Sequence, residues 1–225
     1  MADQTILDET PPRRRLRPKE RERQIVDGAI RYFAEVGFEG QTRELARRLN
    51  ITQPLLFRYF PTKEDLIDRV YEEVYLRRWK DEWVDDLTDR SVSLEERLIR
   101  YYEDYVATIF RYEWIRIFMF SGLKGEPINQ RYMALVRDRI LRAISLELRH
   151  EHGFPADDIT PLSDGELDVA WSLHGAIFYV GIRKWVYQED IPSDLSVFIR
   201  RNVQTFLRGA RPALEEVIGA PSGGD

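Results

Sequence analysis

Apolar residues recur at intervals of three and four along almost the whole chain. Between Pro18 and Gly37 they fall at Ile25, Ala29, Tyr32, Phe33 and Val36, the stripe that an amphipathic helix turns toward a core. Pro18 suits the first turn of that helix and Gly37 suits its end. Two short periodic segments follow. Leu45, Ala46 and Leu49 define a helix over 42–49, and Leu56, Tyr59 and Phe60 define another over 53–60, with Asn50-Ile51-Thr52 between them. Pro54 is compatible with the second, because Thr52 as N-cap places it in a first turn whose N–H groups lack intrahelical partners.

From Pro61 to Pro127 there is no proline, a gap that helices fill most easily. Thr62-Lys63-Glu64-Asp65 reads as a capping box with Asp in the place of Glu, and Leu66, Ile67, Val70, Tyr71 and Val74 follow in helical register. Ser93-x-x-Glu96 and Ser163-x-x-Glu166 are further capping boxes, each before a long periodic segment. Leu94 to Leu123 reads as a helix apolar on more than one face, Asn129 to Glu151 as another, and a last long helix begins near Ser193. Period-2 alternation and internal repeats are not evident, so the expected fold class is all-α.

Composition narrows the class. In 225 residues there is no cysteine, which excludes disulfides and Cys-based zinc sites. Apolar runs stop far short of the roughly 18 residues that a membrane span needs. The opening MADQTILDET has neither a basic nor an apolar stretch of the secretory kind, so the expected location is the cytoplasm and no membrane partner is expected. A net charge of −5 argues at first against nucleic acid. Its distribution argues the reverse: residues 10–63 hold 13 basic and 6 acidic side chains, a net +7, and the rest of the chain is acidic.

Two short helices joined by a three-residue turn, with a scaffold helix before them, describe a helix-turn-helix. Its second helix must enter a major groove about 12 Å wide while the first braces it. With Leu56, Tyr59 and Phe60 inward, Gln53, Leu55, Phe57 and Arg58 face out. Gln can pair with adenine N6 and N7, Arg with guanine or phosphate, and Leu with a thymine methyl.

The run Arg23 to Phe38, then Glu44-Leu45-Ala46, then Leu56-Phe57-Arg58-Tyr59-Phe60-Pro61-Thr62-Lys63-Glu64-Asp65-Leu66 resembles the N-terminal domain of TetR-family transcriptional regulators over about residues 20–67. That resemblance implies a homodimer with one DNA-binding head per subunit, double-stranded DNA with a near-palindromic operator as partner, and a larger helical domain that dimerises and binds a small effector. It also implies DNA contacts from the recognition helix and from Lys63. The expected contact set is Arg43, Thr52, Gln53, Pro54, Leu55, Phe57, Arg58, Tyr59 and Lys63. Three positions depart from the family pattern. Phe57 stands where a Tyr usually reaches a phosphate, Asn50 replaces the turn glycine but tolerates a left-handed backbone, and the stretch 40–44 is one residue short. Before the first helix, Arg14, Arg15 and Arg17 belong to a basic arm suited to a narrow minor groove.

The expected division is an arm over 1–17, a helix-turn-helix head over 18–66, an effector-binding and dimerisation body over 67–218 and a tail over 219–225. In the body, Tyr105, Trp114, Phe118, Trp171, His174 and Phe178 are candidates for lining an apolar effector pocket. The helix after Ser163 carries two apolar faces, one for its own core and one for a partner subunit, with Gly175 and Gly181 suited to close helix approach. Asp85-Asp86-x-x-Asp89 spells the magnesium motif of helical prenyl-transfer enzymes. No second motif of that class accompanies it, and neither a metal, a cofactor nor an enzymatic activity is expected. The leading expectation is an effector-released repressor; the alternative is a ligand-independent DNA-organising or scaffold protein with the same head.

Overall fold

The computed structural model describes residues 17–124 and 127–218, and these form an all-helical chain without strands. The head holds α1 (Pro18–Val36), α2 (Thr42–Arg48) and α3 (Gln53–Tyr59). Ile25, Val26, Ala29, Tyr32 and Phe33 of α1 are buried against Leu45, Leu56 and Phe60, the stripe read from the sequence. α1 ends at Gly37, whose positive φ of 74° removes the Cβ penalty and whose N–H donates to the Phe33 carbonyl.

α4 (Lys63–Val74) continues into the body, so it runs straight through residue 66, where the head was expected to stop. Its start is the reciprocal cap that the sequence shows: the Asp65 N–H donates to Thr62 Oγ1, and the Thr62 N–H to the Asp65 carboxylate. At Ser93 only half of the expected box forms. The Ser93 hydroxyl accepts from the Glu96 N–H, while the Glu96 carboxylate turns to Arg100 one helical turn on. Ser163 and Glu166 form the full box.

The body consists of α5 (Glu82–Thr88), α6 (Leu94–Ile109), α7 (Tyr112–Lys124), α8 (Pro127–Leu135), α9 (Arg142–His152), α10 (Asp164–Trp185) and α11 (Leu195–Ile218), with a single 3-10 turn at Leu76–Arg78. The single helix expected over Leu94 to Leu123 is two. At Phe110, φ −74° and ψ 64° turn the chain, and the Arg111 N–H donates to the Ile109 carbonyl two residues back. A straight helix apolar on several faces would have no single surface to bury them. The break lets α6 pack on α5 and α11 while α7 packs on α1 and α10. Between α8 and α9 a π-helical stretch, Val136–Leu141, rotates the register so that Val136, Ile140 and Leu141 are all buried.

Two ion pairs lie inside the body. Arg149 and Glu166 meet at 2.5 Å with almost no exposure, and the same guanidinium donates to carbonyls of Pro155, Thr160 and Pro161, pinning the loop between α9 and α10. Arg97 and Glu147 meet at 2.7 Å, and Arg90 closes on Glu147 from the surface.

Candidate nucleic-acid interface

The turn between α2 and α3 is set by backbone hydrogen bonds. The Ile51 N–H donates to the Ala46 carbonyl and the Asn50 N–H to that of Arg47, the pairing that closes a helix through a left-handed residue. Asn50 is that residue, with φ 53°, as its place in the sequence suggests. The scaffold helix comes close enough that a Cβ on Gly28 would lie 2.1 Å from Leu49 Cδ2. Thr52 then caps α3, accepting from the Leu55 N–H at 3.3 Å.

This anchoring decides which face of α3 is displayed. Leu56 and Phe60 are buried, and Tyr59 is half-buried and packs against the core. Thr52, Pro54 and Arg58 are exposed, while Gln53, Leu55 and Phe57 are half-exposed. Leu55 and Phe57 stand outside the hydrophobic core, which leaves two apolar side chains beside Arg58 on the outer face. Arg43 is the second residue of α2 and exposed, and Lys63 opens α4 half-exposed.

Around α2 and α3 the basic side chains fall into two groups. On α2, Glu44 holds Arg47 at 2.7 Å and Arg48 at 3.2 Å, and Arg48 also reaches Glu35 of α1. Hydrogen bonds from Arg47 and then Arg48 hold the Glu44 carboxyl down at about 2, so this cluster stays ionised and largely satisfies itself. Arg43, Arg58 and Lys63 form no ion pair among the described residues. They are among the cations of the head left for an external anion, and the three that flank or sit on α3.

Residues 25–70 match the model of the bacterial regulatory proteins of the tetR family. Over this segment, the head, the chain is similar to the regulatory proteins of that family. Over 64 residues it is 38% identical to the HTH-type transcriptional regulator LuxR of Vibrio harveyi, a match that covers 28% of this chain and 31% of that protein. Among solved structures, a TetR-like transcriptional regulator from Rhodococcus sp. RHA1 is 20% identical with a TM-score of 0.57, covering 92% of this chain and 100% of its own. The TetR family transcriptional regulator PfmR from Thermus thermophilus is 20% identical with a TM-score of 0.56, covering 82% of this chain and 97% of its own. At that identity these two structures speak for the fold, which extends over head and body.

Arg14 and Arg15 of the arm lie outside the described residues. Arg17 is exposed at the start of α1, where its N–H donates to the Glu20 carboxylate.

In the body the six candidate effector residues fall into two aromatic triads. Trp114 stacks on Phe118 at 5.3 Å, and Phe178 meets both edge-on. The Tyr105 hydroxyl and His174 Nε2 are 3.0 Å apart, and Trp171 stacks on the imidazole at 5.4 Å. Tyr75, Trp79, Trp83 and Tyr132, which no sequence signal singles out, bridge the triads. Burial pushes His174 down to about 4, so the imidazole is neutral near pH 7. All six side chains pack on one another within these triads, and Trp171 also borders a surface groove, of about 300 Å³, with Met133, Leu141 and Leu167. A Cβ on Gly181 would meet Ile115 at 2.9 Å, so this glycine serves the α7–α10 contact, whereas a Cβ on Gly175 would meet nothing within 4 Å. Asp85 and Asp86 lie on α5 and Asp89 caps it, accepting from the Ser91 N–H. Among the described residues no cluster of three or more His, Asp or Glu side chains could hold a metal, and no helix is long and apolar enough to cross a membrane.

Proposed function

We propose that the chain is a non-enzymatic, homodimeric DNA-binding transcriptional regulator, a repressor released from a near-palindromic operator by a small, largely apolar effector. The observation that carries this reading is the outer face of α3. It displays Gln53, Leu55, Phe57 and Arg58 on a helix of seven residues braced by α2, with Arg43 and Lys63 at its sides. Those groups match base edges, a thymine methyl and phosphates. The Vibrio harveyi relative is an HTH-type transcriptional regulator, which supports the same reading.

Dimerisation draws on the far side of α10 and α11. An open groove of about 590 Å³ runs there between Val169, Phe206, Val217 and neighbouring small residues, while Tyr179 and Val197 stand about half exposed. Apolar surface of that kind on two long adjacent helices suits an isologous four-helix interface. Two heads then meet successive major grooves, and an effector that prefers another spacing lowers DNA affinity by its differential affinity for the two states. The mutual packing of the body's aromatic side chains favours a second reading, the ligand-independent DNA-organising protein.

The test combines selection of bound sequences from a random duplex library with sedimentation of the full chain. A pseudo-palindrome and a dimer support the proposal; binding that ignores sequence, or a monomer on DNA, removes it. A thermal-shift screen separates the two readings: a stabilising compound that also releases DNA supports the repressor.

A further inference from the structure

One hydrogen bond in the head joins a residue that would read DNA to one that would not. Gln53 Nε2 donates to Thr42 Oγ1 at 3.1 Å, across eleven positions of sequence. Both occupy the first turn of their helices, Thr42 at the start of α2 and Gln53 at the start of α3. Both are half-buried where the two helices meet, and the Thr42 side chain does not cap its own helix, since the residue before α2 is Gln41. Its hydroxyl is therefore available to a neighbour.

We infer that Thr42 is a specificity-determining positioning residue, holding the Gln53 amide in the orientation that reads adenine over guanine; this rests on the DNA-binding reading above. A glutamine amide has two N–H donors and one carbonyl acceptor. Thr42 takes one N–H. What remains for a base is one donor beside one acceptor, the complement of adenine, which offers N7 as acceptor and N6–H as donor. Guanine offers two acceptors on the same edge, so the Gln53 carbonyl would face O6 without a proton between them. An unrestrained glutamine can rotate its amide half a turn, and it loses rotamer freedom when it docks. The tie to α2 removes part of that freedom before DNA arrives. The rest of the helix start agrees with an A·T-rich contact: Pro54 is exposed and Leu55 half-exposed, apolar groups suited to a thymine methyl next to the adenine.

The experiment selects bound duplexes from a random library with the full-length chain and with Thr42→Ser, Thr42→Val, Gln53→Ala and the Thr42→Val/Gln53→Ala pair, each checked for its melting temperature. The wild-type chain and Thr42→Ser are expected to enrich adenine over guanine at one position per half-site, on the order of tenfold. Thr42→Val has nearly the same shape and lacks the acceptor; it is expected to bring that ratio close to one at this position while preferences set by other residues persist. Gln53→Ala should flatten the same position, and the double variant should add nothing further. Loss of preference across all positions together would mark a merely structural role for Thr42 and overturn the inference. Retention of the adenine preference in Thr42→Val would overturn it too, as would a failure of Thr42→Ser to keep it. A wild-type library with no preference anywhere removes the DNA-binding reading itself, and this inference with it.

Discussion

Arg116 Nε donates to the carbonyl oxygen of Ala34 at 2.6 Å, which ties α7 of the body to the last turn of the scaffold helix of the head. The same guanidinium reaches the Glu35 carbonyl at 3.4 Å and the Trp185 carbonyl, at the end of α10, at 3.5 Å. It lies 5.2 Å from the ring centres of both Tyr112 and Phe120. Helix C-termini carry unpaired carbonyls and partial negative charge, so one cation satisfies two helix ends at once. Of the body's helices, α7 is the one that packs most extensively on α1, and Arg116 is its polar fastening there.

Arg116→Met keeps the apolar stem and removes the fork. It should destabilise the chain by about 2 kcal/mol, the order expected for losing hydrogen bonds from a charged donor, and raise amide exchange in the last turn of α1. Arg116→Lys should recover only part of the loss, because a compact ammonium cannot span carbonyls on two helices. Urea unfolding with site-resolved hydrogen exchange checks both; unchanged exchange at the end of α1 would leave Arg116 without a joining role.

His174 predicts a pH dependence. Its folded value of about 4 lies below the ordinary 6.5, so between those values the unfolded chain binds the proton and the folded chain does not. Stability contributed by this group is complete above about pH 6.5 and falls as pH drops toward 4, by about 3 kcal/mol in all. His174→Leu should show a flatter stability profile than the wild type over that window, measured by chemical unfolding at several pH values.

Arg149 and Glu166 form the most buried ion pair among the described residues. Burial alone would raise the Glu166 carboxyl, but hydrogen bonds from Arg149 and Ser163 outweigh it and hold the group below its ordinary value. Glu166→Gln leaves the guanidinium buried with a neutral partner and weakens the cap of α10. A loss of roughly 3–5 kcal/mol is expected, whereas Arg149→Met with Glu166→Leu should lose much less. Melting curves of the two variants decide it.

On the head, Phe57→Tyr tests the family pattern that this chain departs from. A hydroxyl at that half-exposed position should reach a phosphate and tighten DNA binding severalfold, with little change in the slope of log K against log salt, since no charge is added. Arg58→Ala and Lys63→Ala should each weaken binding and lower that slope by about 0.9 if the side chain neutralises one phosphate. Anisotropy titrations at a series of salt concentrations read both quantities.

Local chemistry alone carried the sequence a long way. Helix positions followed from the spacing of apolar residues, the starts of α4 and α10 from their capping residues, and the left-handed turn at Asn50 from a side chain that tolerates it. The reading of an outward Gln53, Leu55, Phe57 and Arg58 followed from three inward neighbours on a helix of fixed period. Each of these depends on residues within a turn or two of one another. What the tertiary structure decided depends on distance. Leu94 to Leu123 had to break because its several apolar faces have different partners, on α5, α11, α1 and α10, which no window of sequence brings together. Thr42 with Gln53, and Arg116 with the carbonyl ends of α1 and α10, are pairings between a side chain and a remote group, and helical periodicity is silent about them. The aromatic side chains of the body were conspicuous as types. Which of them meet is a matter of how side chains from remote helices interlock, and helical periodicity does not encode it.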